Sequence, residues 1–123
     1  MAGKINVGTF RKMKERGEKI VMIPAYDAPT AALAAAAGIE ILLVGDSMAN
    51  TVLGYENTLP LTLEQSLHHC AAVRRGAPEA FIVGDMPFMS YEASLEQGVL
   101  NAARYLKEAG CNAVKIESSP GSV

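Results

Sequence analysis

Four short apolar runs, Ile20-Val21-Met22-Ile23, Ile41-Leu42-Leu43-Val44, Phe81-Ile82-Val83 and Ala113-Val114-Lys115-Ile116, alternate with segments of helical period. That alternation constrains the chain more than any other feature. Short apolar runs bounded by turn formers suit buried strands, and strands alternating with helices indicate βαβ units around a parallel sheet. The helix signals are explicit. Asp27 or Ala28 stands at a cap with Pro29 in the first turn, ahead of an alanine-rich stretch that ends at Gly38. Alanines allow close backbone approach, so this helix is expected to pack tightly against the sheet. Thr62-Leu63-Glu64-Gln65 and Ser94-Leu95-Glu96-Gln97 have the spacing of capping boxes. The first opens a helix with Leu63, Leu67, Cys70 and Val73 on one face, and Arg74 and Arg75 suit its C-terminal dipole. The second opens a helix carrying Leu95, Val99, Ala102, Ala103 and Leu106, closed by Gly110. Gly8–Glu18 reads as a short leading surface helix, and Met48–Leu61 as a long connection, of a length that is often functional in compact domains.

The fold class is therefore α/β, with two closures open: a doubly wound sheet, or part of a (β/α)₈ barrel. A complete barrel takes about 250 residues, so a chain of 123 residues would supply roughly half of one. It also ends soon after a strand, with no helix to cover the sheet. Residues 1–123 are accordingly expected to be the N-terminal half of a single barrel domain, truncated after the fourth strand.

Charge narrows the partners. Eleven basic and 13 acidic residues give a formal net charge of −2, which offers neither nucleic acid nor an anionic membrane an attractive surface. The longest apolar run, Ala31–Ile39, falls well short of the roughly 18–20 residues of a membrane span. The first residues contain no apolar signal core. Cys70 and Cys111 lie far apart without metal-ligand spacing and read as free thiols of a reducing compartment. The expectation is a cytoplasmic domain acting on a small molecule.

Three of the runs are followed by a carboxylate: Asp46, Asp85 and Glu117. In a parallel α/β sheet the strand C-termini lie on one side, where active sites form. Counting by twos puts Leu42, Val44 and Asp46 on one strand face, Phe81, Val83 and Asp85 on another, and Ala113, Lys115 and Glu117 on a third. If those faces point into a barrel, three carboxylates and one ammonium meet at its mouth. Clustered carboxylates repel unless a cation lies between them, and oxygen ligands with water favour Mg²⁺. Ser47 offers a hydroxyl and a backbone N–H to a substrate carboxylate. Each residue also has a plainer reading: an Asp after a strand is often a turn former, and Lys115 with Glu117 could be a solvated pair. The coincidence on three successive strands favours the site. His68 and His69, being adjacent on a helix, do not share a face, and Cys70 reads as interface packing. Asp27 reads as a cap, and Tyr26 is placed to line the pocket. No strand–GxGxxG–helix fingerprint is present.

The stretches Ala25-Tyr26-Asp27-Ala28-Pro29, Leu43-Val44-Gly45-Asp46-Ser47, Val52-Leu53-Gly54-Tyr55, Thr58-Leu59-Pro60-Leu61-Thr62, Ala72–Pro78, Gly84-Asp85-Met86-Pro87-Phe88 and Val114-Lys115-Ile116-Glu117 closely resemble the ketopantoate hydroxymethyltransferase family, in order, from about Phe10 to Glu117. The resemblance implies a (β/α)₈ barrel of the phosphoenolpyruvate-binding superfamily. It also implies transfer of a hydroxymethyl group from 5,10-methylenetetrahydrofolate to 3-methyl-2-oxobutanoate, giving 2-dehydropantoate on the route to pantothenate and coenzyme A. Carried over by motif, Asp46, Asp85 and Glu117 would bind Mg²⁺, while Asp46, Ser47, Asp85 and Lys115 would hold the keto acid. The family's general base, a glutamate, and a further histidine would lie beyond Val123, and the complete enzyme would be a homo-oligomer. The sequence departs from the family pattern at Ser118-Ser119-Pro120, where glycines are usual, and at Met48-Ala49-Asn50-Thr51. Two other readings stay open: a carbon–carbon lyase or mutase of the same superfamily, and a non-catalytic half-barrel that acts as an assembly partner.

Overall fold

The computed structural model describes residues 4–117. The departure noted at Ser118-Ser119-Pro120 lies outside them. Four strands, β1 (Met22–Pro24), β2 (Ile41–Val44), β3 (Phe81–Asp85) and β4 (Ala113–Lys115), form one parallel sheet in the order β1-β2-β3-β4. Helix α1 (Val7–Glu15) leads, and α2 (Ala28–Ala36), the single turn α3 (Met48–Thr51), α4 (Leu63–Gly76) and α5 (Leu95–Lys107) lie between the strands. Each strand pairs with the next in sequence and the order never reverses. This is the wall of a (β/α)₈ barrel and not a doubly wound sheet, which requires a reversal.

Local chemistry explains most of the boundaries. The Asp27 carboxylate accepts from the Thr30 backbone N–H at 2.8 Å and starts α2, and Thr62 and Gln65 cap α4 reciprocally. The box at Ser94 is half made. Ser94 accepts from the Gln97 N–H, but the Gln97 side chain accepts from Ala93 N instead of the cap residue. Helix α1 starts earlier than Gly8 because Asn6 and Thr9 form a reciprocal cap of their own, and it ends at Glu15, before Gly17 at φ 71°. β1 begins at Met22, two residues later than the apolar run, because its partner β2 begins at Ile41, level with Met22. Pro24 is tolerated in β1 because that strand is an edge of the sheet. The alanine-rich α2 makes its closest approach to a helix, not to the sheet: a Cβ at Gly76 of α4 would collide with the Ala28 carbonyl.

The register corrects one sequence expectation. Aligned residues of a parallel sheet point to the same face, and Leu42 pairs with Ile82, Val44 with Gly84, Leu43 with Val83 and Asp85 with Lys115. Leu42 and Val44 therefore lie opposite Phe81, Val83 and Asp85, not beside them. Leu42, Val44 and Ile82 are fully buried against Ala31, Leu67, Cys70, Val73 and Tyr105 of the helices. Met22, Leu43, Val83 and Lys115 share the other face, where Met22 is 52% exposed. At the N-terminal end of that face, Phe10 of α1 packs edge-on against Phe81 with ring centroids 5.0 Å apart.

Candidate functional site

Asp46 reaches the site in spite of its strand phase, because β2 ends at Val44 and a turn at Asp46-Ser47 re-aims the chain before α3. The Asp46 backbone N–H then donates to Asp85 Oδ2 at 3.0 Å. Asp85, at the C-terminal end of β3, is 3% exposed, and its Oδ1 takes an ion pair from Lys115 Nζ at 2.7 Å. Lys115 Nζ also meets Glu117 Oε1 at 2.8 Å. The Ser47 and Tyr26 hydroxyls lie 2.7 Å apart, and Tyr26 is fixed in turn by His69, whose Nδ1 donates to the Tyr26 carbonyl at 2.7 Å. Gly45 keeps the space between these groups clear: a Cβ there would come within 3.2 Å of Ser47 Oγ and 3.8 Å of Asp85 Oδ2.

The charges are mutually dependent. Partial burial, and then repulsion from Asp85, push the Asp46 carboxyl above its ordinary range, with Lys115 opposing. Burial disfavours the Lys115 ammonium, but its hydrogen bonds and charge interactions with Asp85 and Glu117 outweigh that and raise its affinity for the proton. The hydrogen bond from Lys115 lowers the pKa of Glu117. Two facing carboxylates, one of them reluctant to ionise, supply hard oxygen donors and a surplus of negative charge. That donor set suits a divalent cation that keeps several waters. Asp46 and Asp85 fit this description, and Glu117 is joined to them through the shared Lys115 ammonium. Among the described residues no group of three His, Cys, Asp or Glu side chains is gathered closely enough to hold a metal ion.

The structure brings Asp46, Asp85, Lys115 and Glu117 into one chain of contacts, with Ser47 adjoining through Asp46. Tyr26 does reach the mouth, and it does so through the Ser47 hydroxyl. Asp27 is a helix cap, His68 is exposed, and Cys70 and Cys111 are buried free thiols. Sequence reading missed the groups that steady the site. Tyr91 accepts from the Glu117 N–H at 2.9 Å. Ser66 and Tyr105 reach the Asp85 carbonyl from the helix layer. The available signal for Tyr105 was a lone phenol on a helix whose other apolar residues are aliphatic; it is the one buried residue of α5, and a buried hydroxyl needs a partner.

The connection from Met48 to Leu61 is built, not slack. After α3, Tyr55 N donates to the Ala49 carbonyl at 2.8 Å, Asn50 Nδ2 to the Glu56 carbonyl at 2.9 Å, and Gln65 Nε2 to the Tyr55 hydroxyl at 3.0 Å.

Residues 4–122 match the family model described as ketopantoate hydroxymethyltransferase. A 3-methyl-2-oxobutanoate hydroxymethyltransferase of Thermotoga neapolitana is 63% identical over 113 residues, covering 92% of this chain and 41% of that protein. The chain belongs to the ketopantoate hydroxymethyltransferase family. Proteins of the same name from Desulfotalea psychrophila and a Geobacillus species are 60% and 56% identical over 85% and 89% of the chain, and 38% and 39% of their own lengths. The chain thus spans about two fifths of these relatives. A crystal structure of 2,3-dimethylmalate lyase, a PEP mutase/isocitrate lyase superfamily member, superposes with a TM-score of 0.68 at 19% identity, covering 94% of this chain and 41% of that one. Identity that low carries the fold and not the chemistry. Among the described residues, no helix is long and apolar enough to cross a membrane.

Proposed function

We propose that this chain is the N-terminal half of one barrel domain and supplies the keto-acid side of a hydroxymethyl transfer. In that reaction 5,10-methylenetetrahydrofolate gives its one-carbon unit to 3-methyl-2-oxobutanoate, yielding 2-dehydropantoate for pantothenate and coenzyme A synthesis. The observation that carries the reading is Asp85, which is buried and bound on one side to the Asp46 amide and on the other to Lys115. Asp46 and Asp85 would hold Mg²⁺, with Glu117 approaching it through water. A cation there would supply Lewis acidity toward a bound 2-oxo acid. Lys115 would place its ammonium against the negative charge that grows on the keto oxygen as the C3 proton leaves, and the Ser47 hydroxyl, oriented by Tyr26, would hold the substrate carboxylate. The proton acceptor would come from the part of the relatives' length that this chain does not span, since Asp46 and Asp85 would be committed to the cation and Ser47 and Lys115 to the keto acid. The complete enzyme would be a cytoplasmic homo-oligomer.

The test is direct. Adding 3-methyl-2-oxobutanoate to the isotopically labelled chain should move the Asp46 and Ser47 amide resonances in the presence of Mg²⁺, and markedly less after chelation or in Asp85→Asn. Shifts of equal size with and without the cation would overturn the cation-assisted reading.

A further inference from the structure

The Asp85 side chain is bound at both oxygens, yet a carboxylate at a strand end is only as fixed as its backbone. The last ladder pair of β3 with β2 is Gly84 with Val44, so the Asp85 carbonyl lies beyond the end of that ladder. Two buried hydroxyls from different helices take it instead. The Tyr105 hydroxyl of α5 lies 3.1 Å from the Asp85 carbonyl and 2.7 Å from Ser66 Oγ, and Ser66 Oγ of α4 lies 3.3 Å from the same carbonyl. Tyr105 and Ser66 are both fully buried. Each hydroxyl carries one proton, and the short Tyr105–Ser66 contact lets the phenol reach the carbonyl either directly or by donating to Ser66 while Ser66 donates on to it.

The approach depends on Gly84. A Cβ there would collide with Tyr105 Cδ1 and lie 2.7 Å from Cε1, so the ring crosses β3 where that strand has no side chain.

We propose that Ser66 and Tyr105 are positioning residues that brace Asp85 through its backbone carbonyl. Fixing that carbonyl fixes the peptide plane after Asp85 and hence the direction from which its carboxylate meets the Asp46 amide and Lys115. The role deepens the function proposed above, and its test is read independently of that function.

The probe is the Asp46 amide, whose acceptor is the Asp85 carboxylate. The reference is the Ala25 amide, bonded to the Leu43 carbonyl at 3.0 Å between β1 and β2 and so with no bond to β3. In Tyr105→Phe, hydrogen exchange at Asp46 should quicken roughly 3- to 10-fold, the cost of a lost hydrogen bond, with Ala25 unchanged. Equal acceleration at both amides, or none at either, would overturn the brace and leave Tyr105 as packing. If Tyr105→Phe does not fold, Ser66→Ala is read in the same way, with a smaller expected change because the phenol still reaches the carbonyl. Mn²⁺ added alone separates the two ideas. A parent chain that binds no Mn²⁺ sinks the cation reading while the amide ratio still decides the brace. Mn²⁺ bound with an unchanged amide ratio sinks the brace alone.

Discussion

The two faces of this sheet are built from the same kinds of residue and lead different lives. On one, Leu42, Val44 and Ile82 are sealed beneath α2, α4 and α5; on the other, Leu43 and Val83 are half-buried and Met22 is 52% exposed. Strands that face water on one side alternate apolar with polar, whereas strands buried on both sides read as continuous apolar runs. The first three runs here are continuous, and the fourth is broken by Lys115. The sequence is written for burial on both faces, and the described residues cover one. In a closed barrel the second face is the packed interior, so the contrast measures how much of the wall this chain brings with it.

The sharpest way to break the comparison is a matched pair of truncations on neighbouring residues. Leu42→Ala should cost about 2–5 kcal/mol in urea unfolding through transfer and cavity terms. Leu43→Ala, whose side chain already meets solvent, should cost under about 1 kcal/mol. Equal losses would mean that the two faces are equally covered in solution. Next in size is Gly84→Ala on the covered face, where the added methyl meets the Tyr105 ring. Overpacking of that kind should cost about 1–3 kcal/mol, and a thermal melt unchanged from the parent would show that the ring can retreat at no cost.

The smallest effect belongs to the rim. Asp46 has its carboxyl raised by burial and by Asp85, so the folded chain holds that proton more tightly than the unfolded one. Stability should therefore fall as pH rises through the interval between the ordinary carboxylate value and the raised one, and stay lower above it. Asp46→Asn removes the decline. Its urea midpoint should exceed the parent's at about pH 7 and match it at about pH 3, near or below the ordinary carboxylate range. A midpoint difference that does not change with pH would disprove the origin given for it.

Most of the fold was legible because it is local. Thr62 with Gln65 and Asp27 with Thr30 announce their helices within four residues, and β2 was readable to its ends. The Asn6–Thr9 cap is less legible because a threonine stands in the third helical position where the usual box has Glu or Gln. The grouping of Asp46, Asp85, Lys115 and Glu117 was legible and its geometry was not. Alternation by twos holds only while a strand lasts, and β2 stops before Asp46, so its side-chain direction is set by a turn that the phase count ignores. Ser66 and Tyr105 were illegible for a different reason. Each sits in a helix of ordinary pattern, 19 and 20 residues from the carbonyl it contacts, and no local rule connects them to Asp85.

One detail at the other end of the sheet bears on how such a chain could be completed. Phe10 and Phe81 close the N-terminal end of the open face, so this segment carries its own floor while its mouth, with Asp46, Asp85 and Lys115, stands at the rim. On the half-barrel proposal, the wall that completes the barrel would add strands above this floor. Its fit would be judged first along the free edges of β1 and β4, where the seams would run.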